Sequence, residues 1–119
     1  MTRAATLGWA SATVVVSGAY LVLGLMSTVP EPLKSISDDI VHAGAYAVLG
    51  FLAAMTVAGL WSSRVAGLGA CFALGHGAVL EVLQYFHPPR AAELSDLAAD
   101  AAGAGLGALV AWLVLRRWS

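Results

Sequence analysis

The sequence predicts an all-α membrane protein, an antiparallel bundle of four transmembrane helices that forms one domain over residues 1–119. Two observations predict this class. Only 11% of the residues are charged and 60% are hydrophobic, whereas a soluble domain carries about 25% charged residues. In addition, four apolar segments approach or exceed the length of about 20 residues that a helix needs to cross the hydrocarbon layer.

The first two apolar segments cover residues 7–29 and residues 40–61. Pro30 and Pro32 end the first of them. Its apolar core of about 23 residues is longer than the 7–15 residues typical of a signal peptide, so we expect a helix that is not cleaved. A polar loop joins the two segments, and its shortness places the second helix antiparallel to the first.

The third and fourth segments cover residues 65–86 and residues 97–115. A turn of Ser62, Ser63 and Arg64 precedes the third segment, and Pro88 and Pro89 follow it. Arg116 and Arg117 follow the fourth segment. The short connections predict that every helix lies antiparallel beside the one before it.

The basic residues predict an orientation, because cytoplasmic loops of membrane proteins are enriched in Lys and Arg. Lys34 and Arg90 fall on one side of the predicted bundle. The other four basic residues fall on the side of the termini: Arg3, Arg64, Arg116 and Arg117. We therefore expect both termini to be cytoplasmic.

The acidic residues all fall on or near the opposite, outer side. Five lie in loops or at helix ends: Glu31, Asp38, Asp39, Glu93 and Asp96. Glu81 and Asp100 lie just inside. At a rise of 1.5 Å per residue, His42, Glu81 and Asp100 each lie within about 8 Å of a helix end. Three helices thus place ionisable groups in one shallow layer.

A structural role would explain some of these acids but not all of them. Asp39 and Asp96 lie in first helical turns, where a carboxylate favours the positive end of the helix dipole, and Ser95 suits an N-cap. Glu81 instead lies near the C-terminal end of an apolar helix, where the helix dipole disfavours a carboxylate. Helix capping therefore does not explain Glu81. A charge inside the bilayer normally faces a partner or a cavity. For His76, near the middle of the third segment, hydrogen-bonded packing is favoured over a proton relay.

Side-chain spacing groups these residues into a polar site. Asp39, His42 and Tyr46 share one helical stripe, as do Glu81 and Gln84, and likewise Asp96 and Asp100. Arg90 is the basic residue expected to pair with Glu81 and Asp100. The predicted binding network is Asp39, His42, Tyr46, Glu81, Gln84, Arg90, Asp96 and Asp100.

Several classes of partner and cofactor are excluded or left open. The basic residues form no stripe that would bind nucleic acid, and Cys71 is the single cysteine, so no disulfide or thiolate metal site is expected. No cofactor is strongly implied, although carboxylates and an imidazole would also suit a divalent cation. Gly103 and Gly107 form a close-approach motif, which would serve either packing within the bundle or a homo-oligomer.

The ordered residues resemble the VanZ-like family of small bacterial membrane proteins. The elements are Asp39-x-x-His42-x-x-x-Tyr46, Glu81-x-x-Gln84, Arg90 before Asp96, and Asp100-x-x-Gly103. The resemblance covers residues 38–107. This sequence has Ile40 where the family commonly has Lys, and Asp100 where it usually has Asn.

The resemblance implies a multi-pass protein of the bacterial inner membrane with a role in the cell envelope. The family takes its name from a protein associated with resistance to the glycopeptide antibiotic teicoplanin. The resemblance implies no particular chemical reaction. We therefore expect a protein that modulates the envelope by binding a membrane lipid or a lipid-linked wall precursor.

Three other functions stay open. A membrane-embedded enzyme would use the same carboxylates and histidine for acid–base chemistry, but the sequence has no H-E-x-x-H, G-x-S-x-G or phosphate-binding glycine loop, and we favour a protein without catalysis. The others are a structural partner subunit and, last, an ion or proton carrier.

Overall fold

The computed structural model describes residues 1–25, 38–86 and 94–118, and four long α-helices account for most of them. These are α1 (Arg3–Leu25), α2 (Asp38–Leu60), α3 (Leu68–Tyr85) and α4 (Leu94–Trp118). A 3₁₀ turn, Ser63–Val65, joins α2 to α3, and no strand occurs in the described ranges. All four helical segments are long and apolar enough to cross a membrane. The predicted class, an all-α bundle of four transmembrane helices, is confirmed.

The first helix begins at Arg3, earlier than the predicted Leu7. The reason is a cap, since the Thr2 hydroxyl accepts a hydrogen bond from the amide of Ala5 at 3.1 Å. A side-chain oxygen at this position satisfies one of the amides that a helix start leaves without a partner. The predicted end of this segment, residues 26–29, lies outside the described residues.

The third helix begins at Leu68 rather than at residue 65, because the preceding residues form a separate 3₁₀ turn. The Ser62 hydroxyl caps that turn by accepting a hydrogen bond from the Arg64 amide. The fourth helix extends from Leu94 to Trp118, beyond the predicted residues 97–115. Two arginines in its last turn complement the negative end of the helix dipole and favour this extension.

The two ends of the bundle carry opposite charges. The end where α1 and α3 finish and α2 and α4 begin is called the acidic end, since Asp39, Glu81, Asp96 and Asp100 lie in the helix turns nearest to it. All basic residues of the described ranges lie toward the opposite, basic end: Arg3, Arg64, Arg116 and Arg117. The protein therefore has a charge separation along its long axis of 45 Å.

Helices α2 and α4 pack through glycine and alanine, which allows their backbones to touch. A Cβ atom on Gly103 would collide with the carbonyl oxygen of Ala43, and one on Gly107 with that of Ala47. Small residues at a helix interface permit this close approach in membranes. The surface bearing Gly103 and Gly107 is thus covered by α2 of the same chain. Association with a second copy of the chain stays a prediction.

Helix α1 lies at the side of the bundle, where hydrogen bonds and side-chain packing attach it to α2 and α3. The hydroxyls of Thr13 and Thr56 are 3.0 Å apart, and the Tyr20 hydroxyl donates to the Ala45 carbonyl at 2.9 Å. Trp9 adds an edge contact with the ring of Phe51. Much of the remaining α1 surface is exposed and apolar, as expected for a helix that faces lipid.

Candidate functional site

The centre of the polar site is a buried pair formed by His42 and Asp100. Nδ1 of His42 lies 2.7 Å from Oδ1 of Asp100, and Asp100 is fully buried, with 0% of its surface exposed. The two residues meet because α2 and α4 both begin at the acidic end and approach closely through their glycines. A carboxylate oxygen accepts a hydrogen bond, so Nδ1 carries the proton and Nε2 faces away from Asp100.

Gly77 of α3 provides the space that Asp100 occupies. A Cβ atom on Gly77 would lie 2.6 Å from Oδ2 of Asp100, so any side chain there would displace the carboxylate. Within the described residues, Oδ2 has no hydrogen-bond partner. The carboxylate therefore uses one oxygen for His42, while its other oxygen is enclosed against α3.

Two further carboxylates surround this pair, one helical turn nearer the acidic end. Asp96 precedes Asp100 by one turn of α4 and is buried; its Oδ2 lies 3.7 Å from Nε2 of His42, longer than a hydrogen bond. Glu81 follows Gly77 by one turn of α3 and is partly buried. It lies within electrostatic range of His42. The site thus combines three carboxylates with one imidazole.

Tyr46 connects this cluster to the interior of the bundle. Its ring stacks against that of His42, at 6.5 Å between centroids and 11° between planes. Its hydroxyl lies 2.8 Å from Nδ1 of His76, whose Nε2 lies 2.9 Å from the Ser17 carbonyl. Because a carbonyl can only accept, Nε2 carries the proton and the Tyr46 hydroxyl donates to Nδ1. Both ring nitrogens of His76 are engaged, which supports the packing role favoured from the sequence.

Gln84 joins α3 to the end of α1. Its side-chain Nε2 donates to the Gly24 carbonyl at 2.8 Å, and the residue is 2% exposed. Its Oε1 is buried and has no hydrogen-bond partner in the ranges that the structure describes. This hydrogen bond joins α3 to α1 near the acidic end.

Asp39 and Arg90 stand apart from the other predicted members. Asp39 is exposed, because it lies in the first turn of α2, beyond the region where the neighbouring helices cover that stripe. Asp39 therefore lies outside the buried cluster around His42 and Asp100. Arg90 lies outside the described residues, so its pairing with Glu81 and Asp100 stays a prediction.

Sequence reasoning missed two contributors on α3, Gly77 and the contact of His76 with Tyr46. A signal for Gly77 was present, since it precedes Glu81 by four residues and so shares its stripe. For His76 there was none, because its contact with Tyr46 depends on the relative rotation of α2 and α3. The result is a layer of polar contacts that continues from the acidic end to the middle of the bundle.

The geometry of the His42–Asp100 pair determines what chemistry the site can support. A buried carboxylate that holds Nδ1 of an imidazole fixes the ring orientation and leaves Nε2 able to exchange a proton or contact a ligand. Among the described residues, no group of three or more His, Cys, Asp or Glu side chains is placed to hold a metal ion.

Comparison with known proteins gives one match. A family model described as VanZ/LLP1 matches residues 9–115 and confirms the resemblance drawn from the sequence motifs. No curated protein and no solved structure matches the chain. The match includes most of α1, which the motif resemblance did not cover.

Proposed function

The chain belongs to the VanZ/LLP1 family, and on this premise we propose that it modulates the bacterial cell envelope by binding the polar head of a membrane lipid or a lipid-linked wall precursor. The binding residues are His42, Glu81, Asp96 and Asp100 at the acidic end, with Arg90 from the adjoining loop. In this proposal the protein lies in the inner membrane with both termini cytoplasmic, and the acidic end faces outward. Reduced sensitivity to glycopeptide antibiotics would be one consequence.

The observation that supports the proposal most directly is the buried pair of His42 and Asp100. Ionisable side chains inside a membrane cost several kcal/mol and are retained mainly for function. The contact between α2 and α4 has no evident need for this pair, since glycine and alanine already bring the two backbones together. A role in binding gives a reason for its presence.

The depth of the cluster also supports a lipid head as the ligand. His42, Glu81 and Asp100 lie about 6–9 Å inside the ends of their helices at 1.5 Å per residue. Helices of 23–25 residues are about 35 Å long, slightly more than the hydrocarbon layer of about 30 Å. The cluster therefore falls close to the boundary between the hydrocarbon and the headgroups.

A second candidate is a membrane-embedded enzyme that acts on the bound head. It is favoured by the bond from Nδ1 of His42 to the buried Asp100, the geometry by which a carboxylate orients a catalytic imidazole. Nε2 of His42 would then act as the general acid or base. A structural partner subunit, another alternative from the sequence, gives no role to the His42–Asp100 pair.

The test is lipid retention by the purified protein. Wild type, H42N and D39N would be purified in mild detergent from the same bacterial host, and the bound lipids quantified by mass spectrometry. Loss of a charge-assisted hydrogen bond of about 1.5–3 kcal/mol predicts at least a tenfold reduction in the retained ligand for H42N. D39N is the matched control, because Asp39 is exposed at the same end, and it should retain wild-type levels.

Retention of the same lipids by H42N and wild type would contradict binding at this cluster. The orientation is tested with single cysteines at positions 35, 63, 93 and 119 in a Cys71→Ala background, labelled in intact cells with an impermeant thiol reagent. Labelling of positions 35 and 93 alone is expected. The reverse pattern would place the acidic end in the cytoplasm and contradict an envelope ligand.

A further inference from the structure

The basic end of the bundle has an open cavity beside the last turns of α4. Leu113, Arg116 and Arg117 line this cavity, which has a volume of about 410 Å³. Ligand sites in proteins typically measure about 300–1,000 Å³, so the space suffices for a small ligand or a lipid head. The cavity lies at the opposite end of the bundle from the His42–Asp100 pair, and the two sites are separate.

The lining side chains combine positive charge with an apolar surface. Arg116 and Arg117 are exposed, and both lie in the last turn of α4. Leu113 is also exposed and lies about 5 Å deeper along the helix axis, at 1.5 Å per residue. One ligand can therefore meet cations at the depth of the headgroups and an apolar side chain on the hydrocarbon side of them.

Trp112 sets the position of one of these arginines. Cζ of Arg116 lies 4.6 Å from the centroid of the Trp112 ring, a cation–π contact between residues one helical turn apart. Tryptophan rings are favoured at the boundary between the hydrocarbon and the headgroups. The contact holds the guanidinium near that boundary, so less conformational entropy is lost when Arg116 binds an anion.

Positive charge exceeds negative charge at this end of the bundle. Within residues 1–25, 38–86 and 94–118, no Asp or Glu lies in the helix turns nearest to the basic end. The carbonyls that end α4 disfavour an anion, but their effect equals only about half a negative charge. Arg116 and Arg117 each supply a full positive charge. Complementing the helix dipole therefore does not use all of the positive charge that lines the cavity, and the excess attracts anions.

We propose that this cavity binds the phosphate of an anionic phospholipid, which accepts hydrogen bonds from Arg116 and Arg117 and lays an acyl chain against Leu113. Arginine suits this role, because its planar guanidinium donates paired hydrogen bonds to phosphate oxygens. A soluble phosphate would use the charge alone and would leave the apolar surface uncovered. A zwitterionic lipid brings an ammonium as well, and the described residues that line the cavity include no carboxylate to bind it.

The test is the lipid preference of the full-length protein, measured by native mass spectrometry from detergent. The probes are phosphatidylglycerol and phosphatidylcholine with identical acyl chains, together with glycerol phosphate, which has the phosphate without the chains. Each basic residue near an anionic surface raises affinity about fivefold, so we expect phosphatidylglycerol to bind at least about tenfold more tightly than phosphatidylcholine. Glycerol phosphate should bind at least about tenfold more weakly than phosphatidylglycerol, because it buries no apolar surface.

The double variant R116Q/R117Q removes both charges from the cavity and should reduce the preference to less than about threefold. Both positions are exposed, and glutamine is a good helix former, so the variant should fold. The double variant R3Q/R64Q is the matched control. It removes two positive charges from the same end, at residues that do not line the cavity, and should keep the wild-type preference. H42N changes only the site at the acidic end and should keep it as well.

Four results would overturn the proposal. Equal affinity for the two lipids would show that the cavity does not select an anionic head. A preference that R3Q/R64Q abolishes as fully as R116Q/R117Q does would reflect the overall charge of the basic end. Glycerol phosphate that binds as tightly as phosphatidylglycerol would identify a soluble phosphate as the ligand. Loss of the preference in H42N, with no loss in R116Q/R117Q, would place the bound lipid at the acidic end.

Discussion

Helices α1 and α4 are attached to the rest of the bundle by different chemistry. Helix α4 meets α2 through Gly50, Gly103 and Gly107, each within contact of a backbone atom of the opposite helix. Helix α1 is instead attached by hydrogen bonds at residues from Thr13 to Gly24 and by the packing of side chains such as Trp9. Lipid tails are as apolar as the side chains, so packing and hydrogen bonds replace the hydrophobic effect in holding helices together.

The two kinds of attachment correspond to two roles, fixing the geometry of the site and enclosing it. Backbone contact between α2 and α4 admits little adjustment, and it is this contact that positions His42 against Asp100. The hydrogen bonds of α1 end on flexible side chains such as Gln84 and Tyr20. We infer that the α2–α4 pair fixes the geometry of the site, while α1 completes its enclosure. Three substitutions test this division.

The largest effect is expected for Gly107→Ala in the α2–α4 contact. A Cβ atom there meets the backbone of Ala47 and Phe51, which cannot move as a side chain can, so the helices must separate. Overpacking of this kind costs about 1–3 kcal/mol. Unfolding in mixed micelles of increasing SDS content, followed by circular dichroism, measures the change.

Gly105→Ala is the matched control on the same helix, since a Cβ atom there has nothing within 4 Å. It should leave stability unchanged or raise it by about 0.5–1 kcal/mol, the usual gain of alanine over glycine in a helix. Equal effects of the two substitutions would show that backbone contact does not hold α4 in place.

An intermediate effect is expected for His76→Phe, which removes two hydrogen bonds of α1 and α2 at once. The Ser17 carbonyl and the buried Tyr46 hydroxyl would both lose their partner. Such losses cost about 1–2 kcal/mol in total within membrane proteins. The same SDS titration measures the loss.

The double variant His76→Phe with Tyr46→Phe removes the orphaned hydroxyl as well, and it should recover part of the stability. Should His76→Phe alone leave stability unchanged, the hydrogen-bonded packing role of this histidine would be contradicted.

The smallest effect is expected for Thr13→Val between α1 and α2. Each hydroxyl of the Thr13–Thr56 pair also lies within hydrogen-bond distance of the carbonyl four residues earlier in its own helix. The Thr56 hydroxyl therefore keeps a partner when Thr13 is lost. We expect about 0.6 kcal/mol, the mean for interhelical hydrogen bonds in a membrane protein. A double-mutant cycle with Thr56→Val isolates the coupling, and a value above that of His76→Phe would reverse the proposed order.

Most of the fold could be predicted from the sequence, because length and apolarity alone determine which segments can cross a bilayer. The exact ends of the helices were harder to predict from the sequence. The start of α1 depends on the Thr2 cap, and that of α3 on a 3₁₀ turn held by Ser62. These are local hydrogen bonds, and the pattern of apolar residues does not indicate them.

The site was predictable where a helical stripe decides which residues are neighbours. The spacing of Asp96 and Asp100 on α4 and the position of His42 in the second turn of α2 indicated one layer, and the structure brings these three side chains together. The spacing of Asp39 with His42 did not indicate that Asp39 is exposed, because a shared stripe does not reveal where along a helix its neighbours stop covering it. Contacts such as that of His76 with Tyr46 depend on how two helices are rotated relative to each other. The sequence of one segment does not determine that rotation.

The threonines of α1 have a consequence for how the chain enters the bilayer. The hydroxyls of Thr6 and Thr13 each reach a carbonyl one turn earlier in the same helix. Because these two bonds form within the first segment, both hydroxyls are satisfied in lipid before α2 packs against α1. When α2 arrives, one hydroxyl of the Thr13–Thr56 pair turns from its own carbonyl to the other hydroxyl. Assembly then exchanges one hydrogen bond for another, with little cost in either direction.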